Sequence, residues 1–138
     1  MADRVRKVSY VHVSVPNRAG QGAGILETLR DGGVNLVAFH AFPGKARQTQ
    51  VDLVPEDMAA LRRVARGNGW KLSIAKRGFV VQGDDRVGAV HRHFDRLAEA
   101  RINVTATSAV GAGKGRYGMI LWVKPKDYAR AARALGAR

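Results

Sequence analysis

Cysteine is absent from this 138-residue chain, and long apolar runs are absent as well. Without cysteine there is no disulfide framework and no metal site built on thiolates. No segment approaches the roughly 20 apolar residues that cross a bilayer, and the N-terminus carries charges where a signal peptide has an apolar stretch. We therefore expect a cytoplasmic protein that has no membrane partner.

Acidic residues are scarce relative to basic ones. The chain has 11 Asp and Glu against 24 Lys and Arg, which gives a net charge of +13. Such an excess attracts polyanions. Aromatic residues make up only 7% of the chain, and the basic residues are scattered over predicted helices and turns. The composition therefore predicts no more than weak, nonspecific nucleic-acid binding at low salt.

Clusters of catalytic or metal-binding side chains are also missing. His91 and His93 are two residues apart on a predicted helix, so they point to different faces. No pair of carboxylates and no nucleophile beside a base stands out. The glycines of residues 20–24 lack the third glycine of a dinucleotide-binding fingerprint, because Ile25 takes its place. We expect no metal, no cofactor, no catalytic residue and no enzymatic activity.

An internal repeat is the strongest feature that the sequence does have. Residues 16–36 recur at residues 84–104 with an offset of 68. The offset is kept by three aligned pairs: Gly20 and Gly88, Leu29 and Leu97, and Asn35 and Asn103. A repeat that keeps one offset across a loop, a helix and a strand start predicts two copies of one structural unit.

Each copy predicts the element order βαββαβ. Apolar residues alternate before the loop, which is typical of a half-buried strand, and a 3.6-residue period follows it. In the first copy we expect strands near 11–15, 35–42, 48–54 and 70–74, with helices at 20–31 and after Pro55. In the second copy we expect strands at 79–82, 103–110 and 117–123, with helices at 87–100 and after Pro125. This order predicts an α+β protein with two ferredoxin-like units in tandem, at residues 1–76 and 77–138.

The second copy has no room for a full fourth strand. Only Gly136, Ala137 and Arg138 follow its last predicted helix. A missing edge strand leaves unpaired backbone groups on its neighbour, and proteins usually cover such an edge. We expect another segment to fill the place, either from the same chain or from a second subunit.

The loop and the strand start of both copies resemble the ACT domain, a small regulatory module that binds amino acids. That family has Asp-Arg-Pro-Gly before a helix, and a small residue, Gly, an aliphatic residue and Asn at the next strand. The second copy matches with Asp85, Arg86, Val87 and Gly88, then Ile102, Asn103 and Val104. The first copy matches with Asn17, Arg18, Ala19 and Gly20, then Gly33, Val34, Asn35 and Leu36. Both copies lack the loop proline.

The resemblance implies a ligand site that faces a partner domain. In the first copy it comprises Asn17, Arg18, Ala19, Gly20, Gly22, Asn35, Leu36 and Val37. In the second copy it comprises Asp85, Arg86, Val87, Gly88, Asn103, Val104 and Thr105. A carboxylate suits the loop, because the first amides of a helix have no partner inside the helix. The resemblance therefore implies an amino-acid sensor, expected as a homodimer, that acts on an enzyme or regulator.

Three alternatives remain open. Asn17, Asp85, Asn35 and Asn103 could merely cap helices and shape turns. The stretches 77–81 and 116–119 each match part of the RNP1 pattern of RNA-binding ferredoxin-like domains, which favours a basic nucleic-acid-binding module. The chain could also be an interaction domain without a ligand. If only one copy binds an amino acid, we expect the glycine-rich first copy, because Asp85 would repel a carboxylate.

Overall fold

The computed structural model describes residues 3–138. Their contacts form two units, which we call the first unit (residues 9–76) and the second unit (residues 3–8 with Arg77–Arg138). The expected domain boundaries, 1–76 and 77–138, stay a prediction. The contacts differ from them at the N-terminus, since residues 3–8 pack with the second unit.

The first unit is a three-stranded antiparallel arrangement with two helices. Its elements are β1 (Arg4–Pro16, from residue 9 on), α1 (Gln21–Asp31), β2 (Leu36–Pro43), β3 (Gln48–Pro55) and α2 (Met58–Gly67). The strand order is β2-β3-β1. Val13 of β1 and Ala41 of β2 both lie opposite Val51 of β3, which fixes the register.

One face of these strands carries the apolar core of the first unit. Val11, Val13 and Val15 alternate along β1 and are buried, as the period-2 pattern predicts. They pack in one cluster with residues of both helices, including Leu29 of α1 and Leu61 of α2, which are almost fully buried. The helices therefore cover this face of the strands.

The predicted fourth strand of the first unit is wrong. Residues 70–75 form no strand, and Ile74 is 81% exposed. The segment nevertheless lies beside β1, because the Ser73 amide donates to the His12 carbonyl at 2.9 Å. In return the His12 amide donates to the Ser73 hydroxyl at 2.9 Å. A side-chain oxygen thus takes the place of a backbone carbonyl, and the backbone ladder does not continue.

The second unit repeats the arrangement. Its elements are β4 (Lys76–Asp84), α3 (His91–Glu99), β5 (Val104–Gly113), β6 (Arg116–Val123), a 3-10 turn (Pro125–Asp127) and α4 (Tyr128–Leu135). The strand order is β1-β4-β6-β5, and β6 is antiparallel to both β4 and β5. α3 begins at His91 rather than at the predicted residue 87, because residues 87–90 form turns. The α+β, ferredoxin-like fold is confirmed.

The N-terminal half of β1 occupies the place of the missing fourth strand. Val5 is 6% exposed and belongs to the core of the second unit. The Lys7 amide donates to the Arg138 carbonyl at 3.0 Å, and the Arg138 amide donates to the Val5 carbonyl at 3.1 Å. The expectation that another segment fills the edge is confirmed, and the segment comes from the same chain.

A charged cluster anchors this N-terminal segment. The carboxylate of Asp3, 5% exposed, lies 2.7 Å from the Arg92 guanidinium and 2.7 Å from Nε2 of His93, and it accepts a hydrogen bond from the Tyr117 hydroxyl. Burial alone would raise the pKa of Asp3, but hydrogen bonds from Arg92, Tyr117 and His93 lower it well below its ordinary value. Burial, together with the Asp3 carboxylate, raises the pKa of Tyr117. Asp3 therefore stays ionised.

Candidate functional site

The loop between β1 and α1 is attached to the β2–β3 hairpin. The Asn17 amide donates to the Arg47 carbonyl at 2.9 Å, and the Thr49 hydroxyl donates to Oδ1 of Asn17 at 3.1 Å. The side chain of Asn17 is thereby directed to β3, and no side chain caps α1. The interpretation of Asn17 as a helix cap is wrong.

The start of α1 presents unpaired backbone amides. Gly20 adopts the left-handed conformation, with φ 89° and ψ −15°, which glycine reaches without strain. Within residues 3–138 no acceptor pairs with the amides of Ala19, Gly20, Gly22 or Ala23. α2 differs, because the Asp57 carboxylate accepts from the Ala60 amide at 3.2 Å. The start of α1 is thus able to bind an anion.

The glycines at this helix start leave open space where a side chain would stand. A Cβ atom added at Gly20, Gly22 or Gly24 would meet no atom within 4 Å. Arg18, on the same loop, is exposed and forms no ion pair with a described carboxylate. The loop part of the predicted site therefore combines free amides, one cation and no blocking side chain.

The strand-start part of the predicted site borders a cleft. Nδ2 of Asn35 donates to Oε1 of Glu56 at 2.9 Å, and the Glu56 amide donates to the Asn35 carbonyl at 3.0 Å. Asn35 and Leu36 line an open cleft of about 410 Å³, whose other lining residues are Leu26, Leu29, Arg30, Gly33 and Val34. Val37 is not among them. Sequence reasoning missed Leu26, which is 40% exposed, although its helical spacing places it near Leu29.

Within one unit the two parts of the predicted site lie far apart. Pro16, where the loop begins, lies opposite Gln48 at one end of β3, and Leu36 lies opposite Pro55 at the other end. Gln48 and Pro55 are seven residue steps apart along β3, which is about 23 Å at about 3.3 Å per residue. One small ligand cannot contact both parts within the same unit.

The second copy of the loop forms a smaller cleft. The Asp85 amide donates to the Gly115 carbonyl at 2.8 Å, and Asp85, Arg86 and Gly88 line a cleft of about 250 Å³ with residues 109–111 of β5. No side chain caps α3, so the capping interpretation of Asp85 is wrong as well. The carboxylate of Asp85 adds negative charge to this cleft, which disfavours a second carboxylate.

The other predicted residues of the second copy lie elsewhere. Val87 is fully exposed beside the loop. Asn103, Val104 and Thr105 lie at the opposite end of β5 from this cleft and do not line it. Residues 109–111 were missed by sequence reasoning, and their place follows only from the strand register.

An aromatic platform for nucleic acid is not present at the RNP1-like stretches. Phe79 is fully buried and stacks on Tyr128 with ring centres 4.6 Å apart. Tyr117 is 4% exposed and bound to Asp3. Stacking of bases needs exposed rings. The structure therefore removes the feature that favoured RNA recognition at these stretches.

Residues 3–138 contain neither of two other kinds of site. No group of three or more His, Asp or Glu side chains in this part of the chain is placed to hold a metal ion. No helix there combines the length and apolarity that a membrane span requires.

The two units define an α+β fold of the ACT-like, ferredoxin-like class, and comparisons with solved structures agree. A structure of a protein from Bacteroides thetaiotaomicron covers 96% of this chain and 88% of its own, with a TM-score of 0.79 and 12% identity. The regulatory subunit of aspartate kinase from Thermus thermophilus, in its ligand-free form, covers 98% of this chain and 93% of its own, with a TM-score of 0.59 and 16% identity.

A whole enzyme also contains this fold. The aspartate kinase of Clostridium acetobutylicum, described as an allosteric enzyme, matches 98% of this chain over 33% of its own length, with a TM-score of 0.56 and 16% identity. No protein-family model and no curated protein matches the chain by sequence. At these identities the similarities show the fold alone.

Proposed function

We propose that this chain is a non-catalytic regulatory protein that binds a free amino acid at the start of α1. The observation that carries the proposal is a set of four unpaired backbone amides at the start of α1, those of Ala19, Gly20, Gly22 and Ala23. Gly20 is left-handed, and no side chain stands over Gly20 or Gly22. These amides and Arg18 bind the carboxylate of the ligand. The corresponding loop of the second unit, with Asp85 in its cleft, binds more weakly or not at all.

The expected affinity is that of a metabolite sensor. A hydrogen bond to a charged group contributes about 1.5–3 kcal/mol. Three or four such bonds, less the entropy lost on binding, give a dissociation constant in roughly the micromolar to millimolar range. Free amino acids reach such concentrations, so the site responds to their supply.

A second copy of the chain completes the site in this proposal. Because Asn35, Leu36 and Val37 lie about 23 Å from the loop of their own unit, they reach the ligand only from a partner. In a homodimer the side-chain oxygen Oδ1 of Asn35, whose Nδ2 is held by Glu56, accepts from the ligand ammonium, and the cleft of about 410 Å³ receives the ligand side chain. The ligand then links the two copies.

Regulation follows from this linkage. A ligand shifts an equilibrium between arrangements only by its differential affinity for them. An amino acid that contacts two copies stabilises the associated arrangement, and an enzyme or regulator that senses this arrangement is the output partner. The fold similarity to regulatory subunits of aspartate kinase supports this class of partner.

The test is a thermal-shift screen against the twenty amino acids, with Gly20→Leu as the site variant. At 100 times its dissociation constant a ligand adds about 2.7 kcal/mol to the free energy of unfolding. Gly20→Leu places a bulky side chain over the amides and should abolish the shift. Gly69→Leu is the matched control, because Gly69 also has a positive φ and open space but lies after α2. Equal ligand shifts in both variants would place the ligand elsewhere.

A further inference from the structure

A second cleft in the second unit shares no lining residue with the cleft at that unit's strand–helix loop. It has a volume of about 250 Å³ and is lined by Lys7 of β1 and Arg77 of β4. The rest of the lining comes from α4 and the residues after it: Tyr128, Ala129, Ala132, Arg133 and Ala137. Three cations and no acidic side chain thus line one small cleft.

These three cations have no carboxylate partner. Lys7, Arg77 and Arg133 form no ion pair with any carboxylate of residues 3–138. Three acids of the same unit are held by other arginines, in the pairs Asp3–Arg92, Asp84–Arg116 and Asp127–Arg130. The carbonyl oxygen of Arg138 is engaged by the backbone amide of Lys7 rather than by its ammonium group. No side-chain carboxylate of residues 3–138 therefore pairs with the positive charge of the cleft.

The charge of the surrounding chain strengthens this field. Residues 1–8 and 77–138 contain 15 of the 24 basic residues and 6 of the 11 acidic ones, a net charge of +9. The remaining 68 residues contain 9 basic and 5 acidic residues, a net charge of +4. A concave site inside a field of one sign concentrates ligands of the opposite sign.

The aromatic ring in the cleft, that of Tyr128, already contacts other side chains. Tyr128 is 4% exposed, its hydroxyl donates to the Gly78 carbonyl at 3.1 Å, and Phe79 stacks against its ring. The guanidinium of Arg77 lies 4.1 Å from the centre of the same ring, which holds this cation in place. No ring face remains on which a nucleobase could stack, so a ligand is recognised here by its charge.

We propose that this cleft binds a small phosphorylated molecule through its phosphate group. A phosphate monoester carries a charge of about −1.5 to −2 and three strong acceptor oxygens. Two guanidinium forks and one ammonium group match these oxygens, whereas a single carboxylate would leave most of the positive charge unpaired. This site is separate from the amino-acid site, and neither depends on the other.

The experiment is isothermal titration of the full chain at low salt with inorganic phosphate, pyrophosphate and glycerol 3-phosphate, and with acetate as the carboxylate control. The site variant is Lys7→Gln with Arg133→Gln. The matched control is Arg63→Gln with Arg66→Gln, which removes the same charge from exposed positions of α2 outside the cleft. We expect saturable binding of the phosphate compounds that weakens about tenfold or more in the site variant and less than about twofold in the control.

Several results would overturn the proposal. They are absence of saturable binding of every phosphate compound, acetate binding as tight as phosphate binding, and equal weakening in the two double variants. Equal weakening would show that anions are attracted diffusely to a basic chain. The same conclusion would follow if both double variants reduced the binding of a single-stranded oligonucleotide alike. If the site variant does not fold, Arg133→Gln alone must weaken binding at least about threefold, since Arg133 lies on the exposed side of α4.

Discussion

Asp3 shows how a single residue contributes to this fold from the end of the chain. Its carboxylate is held by Arg92, His93 and Tyr117, and His93 lies 90 positions away along the sequence. No local pattern predicts such a contact, because periodicity describes only neighbours within an element. The sequence marked His93 only as a histidine that lacks a metal-binding partner.

The ionisation of Asp3 predicts a dependence of stability on pH. The pKa of Asp3 is lowered in the folded state from its ordinary value of 3.8. A lowered pKa stabilises the fold above pH 3.8, and this contribution is lost as the pH falls from 3.8 towards the folded value. Asp3→Asn should therefore reduce the stability of the second unit by about 2 kcal/mol at pH 7, and by progressively less below pH 4.

Urea unfolding followed by tryptophan fluorescence measures this effect. Trp70 packs in the first unit and Trp122 belongs to the second, so a Trp70→Phe background makes Trp122 the reporter of the second unit. Stability curves of Asp3→Asn and its parent that stay parallel from pH 7 to pH 2.5 would show that the Asp3 carboxylate is not held as described.

At the scale of elements, β1 contributes buried residues to the apolar cores of both units. Val5 is buried with the second unit, and Val13 is buried with the first. The alternation of Val11, Val13 and Val15 predicted the second half of this strand correctly. The first half was not predicted, because the charged stretch from Arg4 to Lys7 obscures the single core residue within it.

Two matched substitutions test the double role of β1. Val5→Ala and Val13→Ala each remove two methyl groups from a core, a loss of about 2 kcal/mol. We expect Val5→Ala to lower the unfolding midpoint reported by Trp122, and Val13→Ala to lower the midpoint reported by Trp70. Two variants that lower the midpoints of both reporters equally would mean that the units unfold as one.

Other elements show where periodicity fails. The alternation at residues 70–74 predicted a strand, but only Ser73 bonds to β1, and Ile74 is exposed. The start of α3 was predicted too early because residues 87–90 form turns before the helix. At residues 70–74 a long-range contact with β1 decides the backbone conformation. Before α3 local hydrogen bonds close the turns, from the Ala89 amide to the Arg86 carbonyl and from the His91 amide to the Gly88 carbonyl.

At the scale of the whole molecule, the repeat predicted the fold class correctly, but it did not show how the parts of the predicted site are arranged. The loop residues and the strand-start residues of the predicted site lie at opposite ends of a unit, which only the register reveals. The capping interpretation failed for Asn17 because Thr49, 32 positions away, holds its side chain. Whether Asn35, Leu36 and Val37 contact the ligand stays a prediction.

Ligand-dependent association tests the proposed dimer. If an amino acid links two copies, a saturating concentration should lower the dimer dissociation constant about tenfold or more, because the ligand binds the dimer more tightly. Asn35→Ala should abolish this effect, and Asn103→Ala, at the equivalent position of the second copy, should keep it. Sedimentation velocity measures the dimer dissociation constant of the parent protein and of the two variants, with and without the amino acid. An unchanged dissociation constant in the parent protein would exclude the linkage.

The most direct measurement is an amide NMR titration of the full chain with each of the twenty amino acids. The account predicts that at least one amino acid shifts the amide resonances of Ala19, Gly20, Gly22 and Ala23 saturably, while the resonance of Gly69 stays in place. If no amino acid at millimolar concentration moves these four resonances, or if the shifts cluster away from α1, the central claim is contradicted.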